Sequence, residues 1–268
     1  MVFPDGQRIP DRAAARDLQI AKVTEISLKS PPSEPRRRQR LLQRIHRRFQ
    51  TVTEDIGIGP MSLRFTRAAN PNQVLDDIVA EEDLREKSTG VRLDDPQHLP
   101  YWAELWDSAR GLAAALAKMD WTPETRVLDL GCGMGLCGAT AAALGARVLL
   151  ADLEPPAMLF ARLNCHPFGR RVRARQLNWQ IDRLPERFDL IFGADILYER
   201  KQWEFLNEFW KAHLADHGTI LLGEPGRQSG DLFIPWIQQR NWQLHQSTEQ
   251  LPAGAKPIRI FYLTRSHV

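Results

Sequence analysis

No apolar run in this chain approaches the roughly 20 residues that a membrane-crossing helix needs, so no membrane span is expected. The opening residues, MVFPDGQRIPDR, carry Asp5 and Asp11 and no apolar core of signal length. Acids there also weaken a transit-peptide reading, and the expected compartment is the cytoplasm. Cysteine is scarce: Cys132, Cys137 and Cys165 are an odd count with no Cys-x-x-Cys pair. That excludes a disulfide framework and a zinc knuckle and leaves reduced thiols as the expectation. His213 and His217 stand four apart in HLADH, but no glutamate or third ligand accompanies them. No metal is expected; the pair reads as a solvent-facing helix end, where imidazole suits the negative pole. No internal repeat recurs at solenoid periods.

Net charge is also small, +3, but it is unevenly spread. Residues 1–50 hold 12 Lys and Arg against 5 Asp and Glu, or +7, which leaves 24 against 28, or −4, for the rest. Seven of those arginines fall in RRRQRLLQRIHRR, Arg36 to Arg48, where Leu41, Leu42, Ile45 and Phe49 keep a helix-like apolar stripe. Two readings stand side by side. One is an arm that docks nucleic acid or an acidic partner; the other is a solvated helix face held to the domain through its leucines.

The 43% hydrophobic and 26% charged residues are ordinary for a globular protein. Residues 1–37 are proline-spotted and polar with no sustained period, so disorder is expected. Residues 38–95 form an extension: the basic helix, a β-hairpin in TVTEDIGIGPMSLRF around a Gly-Ile-Gly-Pro turn, and a helix in PNQVLDDIVAEEDL that starts at Pro71. Over residues 96–268 strands and helices alternate, the pattern of an α/β fold with a parallel, doubly wound sheet. Strands are predicted at RVLDL (126–130), RVLLAD (147–152), RVRARQL (171–177), FDLIFGAD (188–195) and GTILLGE (218–224). Helices are predicted in GLCGATAAALG, PPAMLFARLN, RKQWEFLNEFWKAHL and SGDLFIPWIQQR. WQLHQSTEQ and PIRIFYLTR then make a closing antiparallel hairpin, where a plain dinucleotide fold would end in a sixth parallel strand.

Glycines crowd the turn after the first of these strands, in RVLDLGCGMGLCG. Gly133-x-Gly135-x-x-Gly138 fits the spacing that holds a dinucleotide pyrophosphate, while Asp129-x-Gly131-x-Gly133-x-Gly135 fits a loop under S-adenosyl-L-methionine. Asp152, at the end of the next strand, suits ribose hydroxyls in either case. Asp129 discriminates: it partners the ammonium of a methionine tail but would face phosphate repulsion in a dinucleotide site. Asn178 and Trp179 follow the third strand and can offer an amide to an adenine edge and an indole to its face; core packing is the alternative for Trp179. Trp102 and Trp106, four apart, would share one face of a helix and shield the methionine end, or simply pack in the core. Glu224 and Arg227, at the carboxyl edge of the fifth strand, are candidates for gripping a protein substrate, or else parts of a rigid turn around Pro225 and Gly226.

PYWAELW (100–106), VLDLGCGMGLCG, LNW, DILY (195–198) and GEPGR (223–227) occur in the order and spacing of methyltransferase family 16, the seven-β-strand protein-lysine methyltransferases. The chain resembles this family over residues 96 to about 228, and most of all its electron-transfer-flavoprotein β-subunit lysine methyltransferase type. The resemblance implies a Rossmann-like class I methyltransferase fold, S-adenosyl-L-methionine as cofactor, and N-methylation of a lysine on a folded protein. It places Asp195 and Tyr198 as catalytic residues beside the acceptor amine and the PYW segment on the cofactor side. Two positions depart from the family pattern: Asn178 stands where an aspartate is frequent, and no glycine follows Trp106 closely. Small-molecule or RNA methylation, a non-catalytic cofactor-binding module and, more distantly, a nicotinamide oxidoreductase are the competing readings.

Overall fold

The computed structural model describes residues 34–90, 99–252 and 255–266. The stretch expected to be disordered lies outside them apart from residues 34–37, which are helical. Helix α1 (Glu34–His46) starts earlier than predicted because Pro35 falls in its first turn, a position that tolerates proline. Leu41 and Ile45 are buried and Leu42 and Phe49 half-buried, while all seven arginines from Arg36 to Arg48 are exposed. The apolar stripe therefore holds the helix to the domain.

Strands β1 (Thr51–Ile58) and β2 (Met61–Ala68) pair in an antiparallel hairpin. Its turn is Gly59-Pro60 alone, since Gly57 and Ile58 still pair across the ladder; two-residue loops match the twist of the flanking strands. Helix α2 (Pro71–Thr89) is capped by Asn70, whose side chain accepts from the N–H groups of Asn72 and Gln73, and it ends at left-handed Gly90.

The main sheet has seven strands in the order β5-β4-β3-β6-β7-β9-β8. These are β3 (Arg126–Leu130), β4 (Arg147–Asp152), β5 (Val172–Gln176), β6 (Phe188–Ala194), β7 (Leu214–Glu224), β8 (Trp242–Glu249) and β9 (Ile258–Arg265). The first five run parallel, and β9 enters antiparallel between β7 and β8. This is the doubly wound, mostly parallel Rossmann-like sheet with a closing hairpin that the sequence pattern implies. Strand residues alternate between two cores: Val127, Val148 and Leu150 pack with α3 (Asp107–Leu116), α4 (Leu136–Ala143) and α5 (Pro155–Asn164), and Leu128, Leu149 and Ile191 with α6 (Trp203–His213) and α7 (Gln228–Gln238). Burial on both faces is why these strands read as continuous apolar runs.

Two local readings change. β7 begins at Leu214, four residues before the predicted start, because a register shift after Phe188 lets fully buried Leu214 pair with it. His213 is buried rather than solvent-facing: its Nδ1 lies 2.7 Å from the Phe209 carbonyl, and its Nε2 accepts the Leu184 N–H at 2.9 Å. His217 belongs to β7, so the two imidazoles do not share a helix face.

The extension joins the main core, since Ile45, Ile56 and Phe65 share the cluster of α3, α4 and α5. The buried side chain of Asn164 makes the polar tie. Its Oδ1 accepts the Thr66 N–H at 2.8 Å, and its Nδ2 donates to the Thr66 carbonyl at 2.9 Å and to the Met134 carbonyl at 2.8 Å. Hairpin and glycine loop are thereby linked through one amide. No described helix is long and apolar enough to cross a membrane, and no described group of three or more His, Cys, Asp or Glu is placed to hold a metal.

Candidate active site

The loop from β3 to α4 turns through three left-handed glycines: Gly131 (φ 66°), Gly133 (φ 51°) and Gly135 (φ 87°). At Gly135 the requirement is steric as well, because a Cβ there would lie 3.0 Å from Cα of Ala161 on α5. Two carboxylates stand under this loop. Asp129 accepts the Gly138 N–H at 2.7 Å; Asp152 accepts the Gly133 N–H at 2.8 Å and the Glu154 N–H at 2.9 Å. Both are buried. Burial pushes the Asp129 carboxyl up to about 8, against the hydrogen bond from Gly138, and the Asp152 carboxyl up to about 6. Carboxyls whose ionisation is opposed by burial gain a charge partner when a ligand ammonium arrives and none from a pyrophosphate, so the residues fit the implied cofactor.

A second set of residues gathers where β6 and β7 end. Asp195 follows β6 in the left-handed region (φ 54°), one of two non-glycine residues described there, and aspartate tolerates that conformation better than most. Its N–H donates to the Gly223 carbonyl at 2.8 Å, and its side chain is 8% exposed. Arg227 grips both its oxygens, Nε to Oδ1 at 2.8 Å and Nη2 to Oδ2 at 2.7 Å. That bond, more than anything else, raises the already high pKa of the guanidinium. Tyr198 faces Tyr101 edge-on with ring centroids 5.7 Å apart, and burial pushes its hydroxyl to about 12, so it stays protonated.

One cavity of about 290 Å³ is lined by every residue assigned from the sequence to the S-adenosyl-L-methionine site or to the acceptor side except Glu224. The loop glycines Gly131, Gly133 and Gly135 meet there with Trp102, Trp106, Asp129, Asp152, Asn178, Trp179, Asp195, Tyr198 and Arg227. Glu224 is buried behind it: its carboxylate takes the N–H groups of Gly226 and Arg227 and the Nε of Arg259. It builds the turn that presents Arg227 and does not itself line the cavity.

The two tryptophans do not share a helix face. A 3₁₀ turn (Tyr101–Ala103) ends at extended Glu104, and α3 starts only after Trp106. Trp102 therefore packs inward on Phe49 and Phe160, at 5.3 and 5.6 Å, while Trp106 stands at the rim under the Arg227 guanidinium, 5.7 Å from its ring. Asn178 Oδ1 accepts the Gln180 N–H at 2.9 Å, which leaves its NH₂ group and one lone pair of Oδ1 for a ligand. Trp179 is half-buried, and its indole N–H donates to Gln202 at 3.1 Å. Gln202, which also takes Gln180 Nε2 at 2.9 Å, was not legible in the sequence, where it is one polar residue in a helical run. Tyr101 was missed too, although it lies inside the quoted PYW segment.

A family model described as lysine methyltransferase matches residues 94–239, more than half of the chain. The chain belongs to that family. It is 38% identical over 143 residues to protein N-lysine methyltransferase METTL21A of Danio rerio, covering 49% of this chain and 64% of the relative. It is 34% identical over 134 residues to the electron transfer flavoprotein beta subunit lysine methyltransferase of Xenopus laevis, covering 48% and 53%. The chain thus spans between about half and two thirds of the length of these relatives. Among solved structures, the glycopeptide N-methyltransferase MtfA complexed with sinefungin superposes with a TM-score of 0.51 at 14% identity, over 59% of this chain and 87% of that one, a likeness of fold.

Proposed function

We propose that this protein is an S-adenosyl-L-methionine-dependent N-methyltransferase that modifies a lysine side chain of a protein substrate. One observation carries the reading: the acid-floored glycine loop and the Asp195–Tyr198 pair open into the same cavity, so a cofactor site and an acceptor site adjoin. Membership of the lysine methyltransferase family and the names of the relatives support it.

When bound, S-adenosyl-L-methionine supplies an electrophilic methyl group on a sulfonium. Asp152 would receive the ribose hydroxyls, Asp129 the ammonium, and Asn178 and Trp179 the adenine edge and face, with Trp102 and Trp106 keeping water from the methionine end. In-line displacement needs little covalent help from the protein; positioning and water exclusion supply most of it. A lysine acceptor adds a proton problem, since a pKa of about 10.4 leaves about one amine in 2,500 neutral at pH 7, a handicap near 4.6 kcal/mol. Asp195 captures and aims the incoming ammonium. A bare carboxylate would also hold the proton on, but Arg227 neutralises Asp195 and so weakens that effect. Proton loss then runs to water or through the carboxylate. The Tyr198 ring walls the channel and its hydroxyl orients the amine.

The test is transfer of labelled methyl from the cofactor into a lysate of the source organism, with the modified residue mapped by mass spectrometry. Asp195→Asn is the control, since asparagine also tolerates the left-handed backbone. Label on a protein lysine that disappears with Asp195→Asn is expected. Retained affinity for S-adenosylhomocysteine with no labelled acceptor would leave a binding module instead. The exposed arginines of α1 support a separate, acidic partner, nucleic acid or protein; its binding should fall steeply with salt and vanish when Arg36 to Arg48 are changed to glutamine.

A further inference from the structure

Arg227 holds Asp195 with only one of its two hydrogen-bonding edges. Nε and Nη2 reach the carboxylate side-on, and no described residue accepts from Nη1, so the end-on edge of the fork is open. That edge matches a carboxylate as well as the side-on one does. The side chain lines the cavity and is 41% exposed, yet it is oriented from three directions: by its own N–H on Glu224, by Asp195, and by the Trp106 ring beneath it. A merely solvated arginine needs no such scaffold. Charge points the same way. Asp195 and Arg227 cancel, so an arriving lysine ammonium adds a positive charge to a neutral pair, and an acid carried by the same substrate restores the balance.

We propose that Arg227 is a specificity-determining residue whose open edge takes a carboxylate of the acceptor protein, so that the methylated lysine has an aspartate or glutamate beside it in the folded substrate. This rests on the protein-lysine methyltransferase reading above. It adds a substrate class to that reading: surface lysines in acidic company, rather than lysines of basic tails.

The acceptor mapped from labelled lysate is purified, the acid nearest its methylated lysine is changed to the matching amide, and methylation is measured with wild-type enzyme and with Arg227→Gln. Either change alone should raise KM by roughly tenfold, the scale of one charge-assisted hydrogen bond at a part-exposed site, with a smaller effect on kcat for the acceptor variant and an added loss of kcat for Arg227→Gln, which leaves Asp195 a bare carboxylate. The two together should cost no more than one, because each removes the same contact. A purely structural role for Arg227 would make the two penalties multiply. Multiplying penalties, or mapped lysines with no acid beside them, overturn the inference and leave the methyltransferase reading intact. No labelled lysine at all overturns both. Should Arg227→Gln not fold, the acceptor variant against wild-type enzyme still decides: an unchanged KM sinks the proposal.

Discussion

Asp129 is a carboxylic acid held away from water, and its titration should be visible in the stability of the ligand-free protein. Its folded pKa of about 8 lies above the ordinary 3.8, so between those values the folded state keeps a proton that the unfolded state has lost. Stability from this group is therefore full below about 3.8 and is lost as pH rises through about 8. Chemical denaturation of wild type and Asp129→Asn across that range should show the wild type losing ground with rising pH and the variant a flatter profile; parallel profiles would refute the assignment. A ligand ammonium beside Asp129 should expel the proton, which calorimetry in buffers of different ionisation enthalpy reads directly. Asp152 makes a second case. Its two oxygens hold the loop through Gly133 and Glu154, so Asp152→Ala removes both a ligand partner and a loop support. Affinity for S-adenosylhomocysteine should fall more than about tenfold, given roughly 1.5–3 kcal/mol for a hydrogen bond to a charged group. Both acids were legible in the sequence because strand ends and glycine spacing fix where they stand. That Asp152 spends its oxygens on backbone, and that Glu224 faces inward, were not, because carboxylate orientation depends on which N–H groups the folded turn offers.

The elements were easier to read than the links between them. Strands β3 and β4 and helix α5 fall on their predicted bounds, since apolar runs buried on both faces and prolines at a helix start are local signals. The two-tryptophan segment misled for the opposite reason: a spacing of four suggests a helix face, but Glu104 is extended and breaks it. Asn164 shows what local signals cannot carry. It lies in a helix well explained by its apolar neighbours, yet its amide joins residues 98 positions upstream and 30 positions upstream. Asn164→Ala would strand buried polar groups of Thr66 and Met134, at about 1–3 kcal/mol for each group left without a partner. The expected result is a lower unfolding midpoint together with weaker S-adenosylhomocysteine binding, because the Met134 carbonyl belongs to the glycine loop. Weaker stability with unchanged binding would show that the hairpin does not support the loop.

At the scale of the whole molecule, the boundary between extension and main domain drawn from sequence follows a change of pattern, whereas the packing crosses it. Phe49 covers Trp102 and Phe160 at 5.3 and 6.0 Å, and Ile45, Ile56 and Phe65 are buried in the cluster that backs α5. Full burial of three such side chains contributes about 1.5–3 kcal/mol each, an amount comparable with the roughly 5–15 kcal/mol net stability of a typical domain. The hairpin also covers the face of α5 that carries Asn164, and it stands behind the glycine loop rather than at the cavity mouth. A chain reduced to residues 99–268 should therefore lose most of its cooperative unfolding transition and its affinity for S-adenosylhomocysteine, although it retains every residue that lines the cavity. Calorimetry and a binding titration on the shortened and full chains test this. A shortened chain that melts at the same temperature and binds equally well would mean that the extension is a separate unit, and that the cofactor loop is held by the sheet alone.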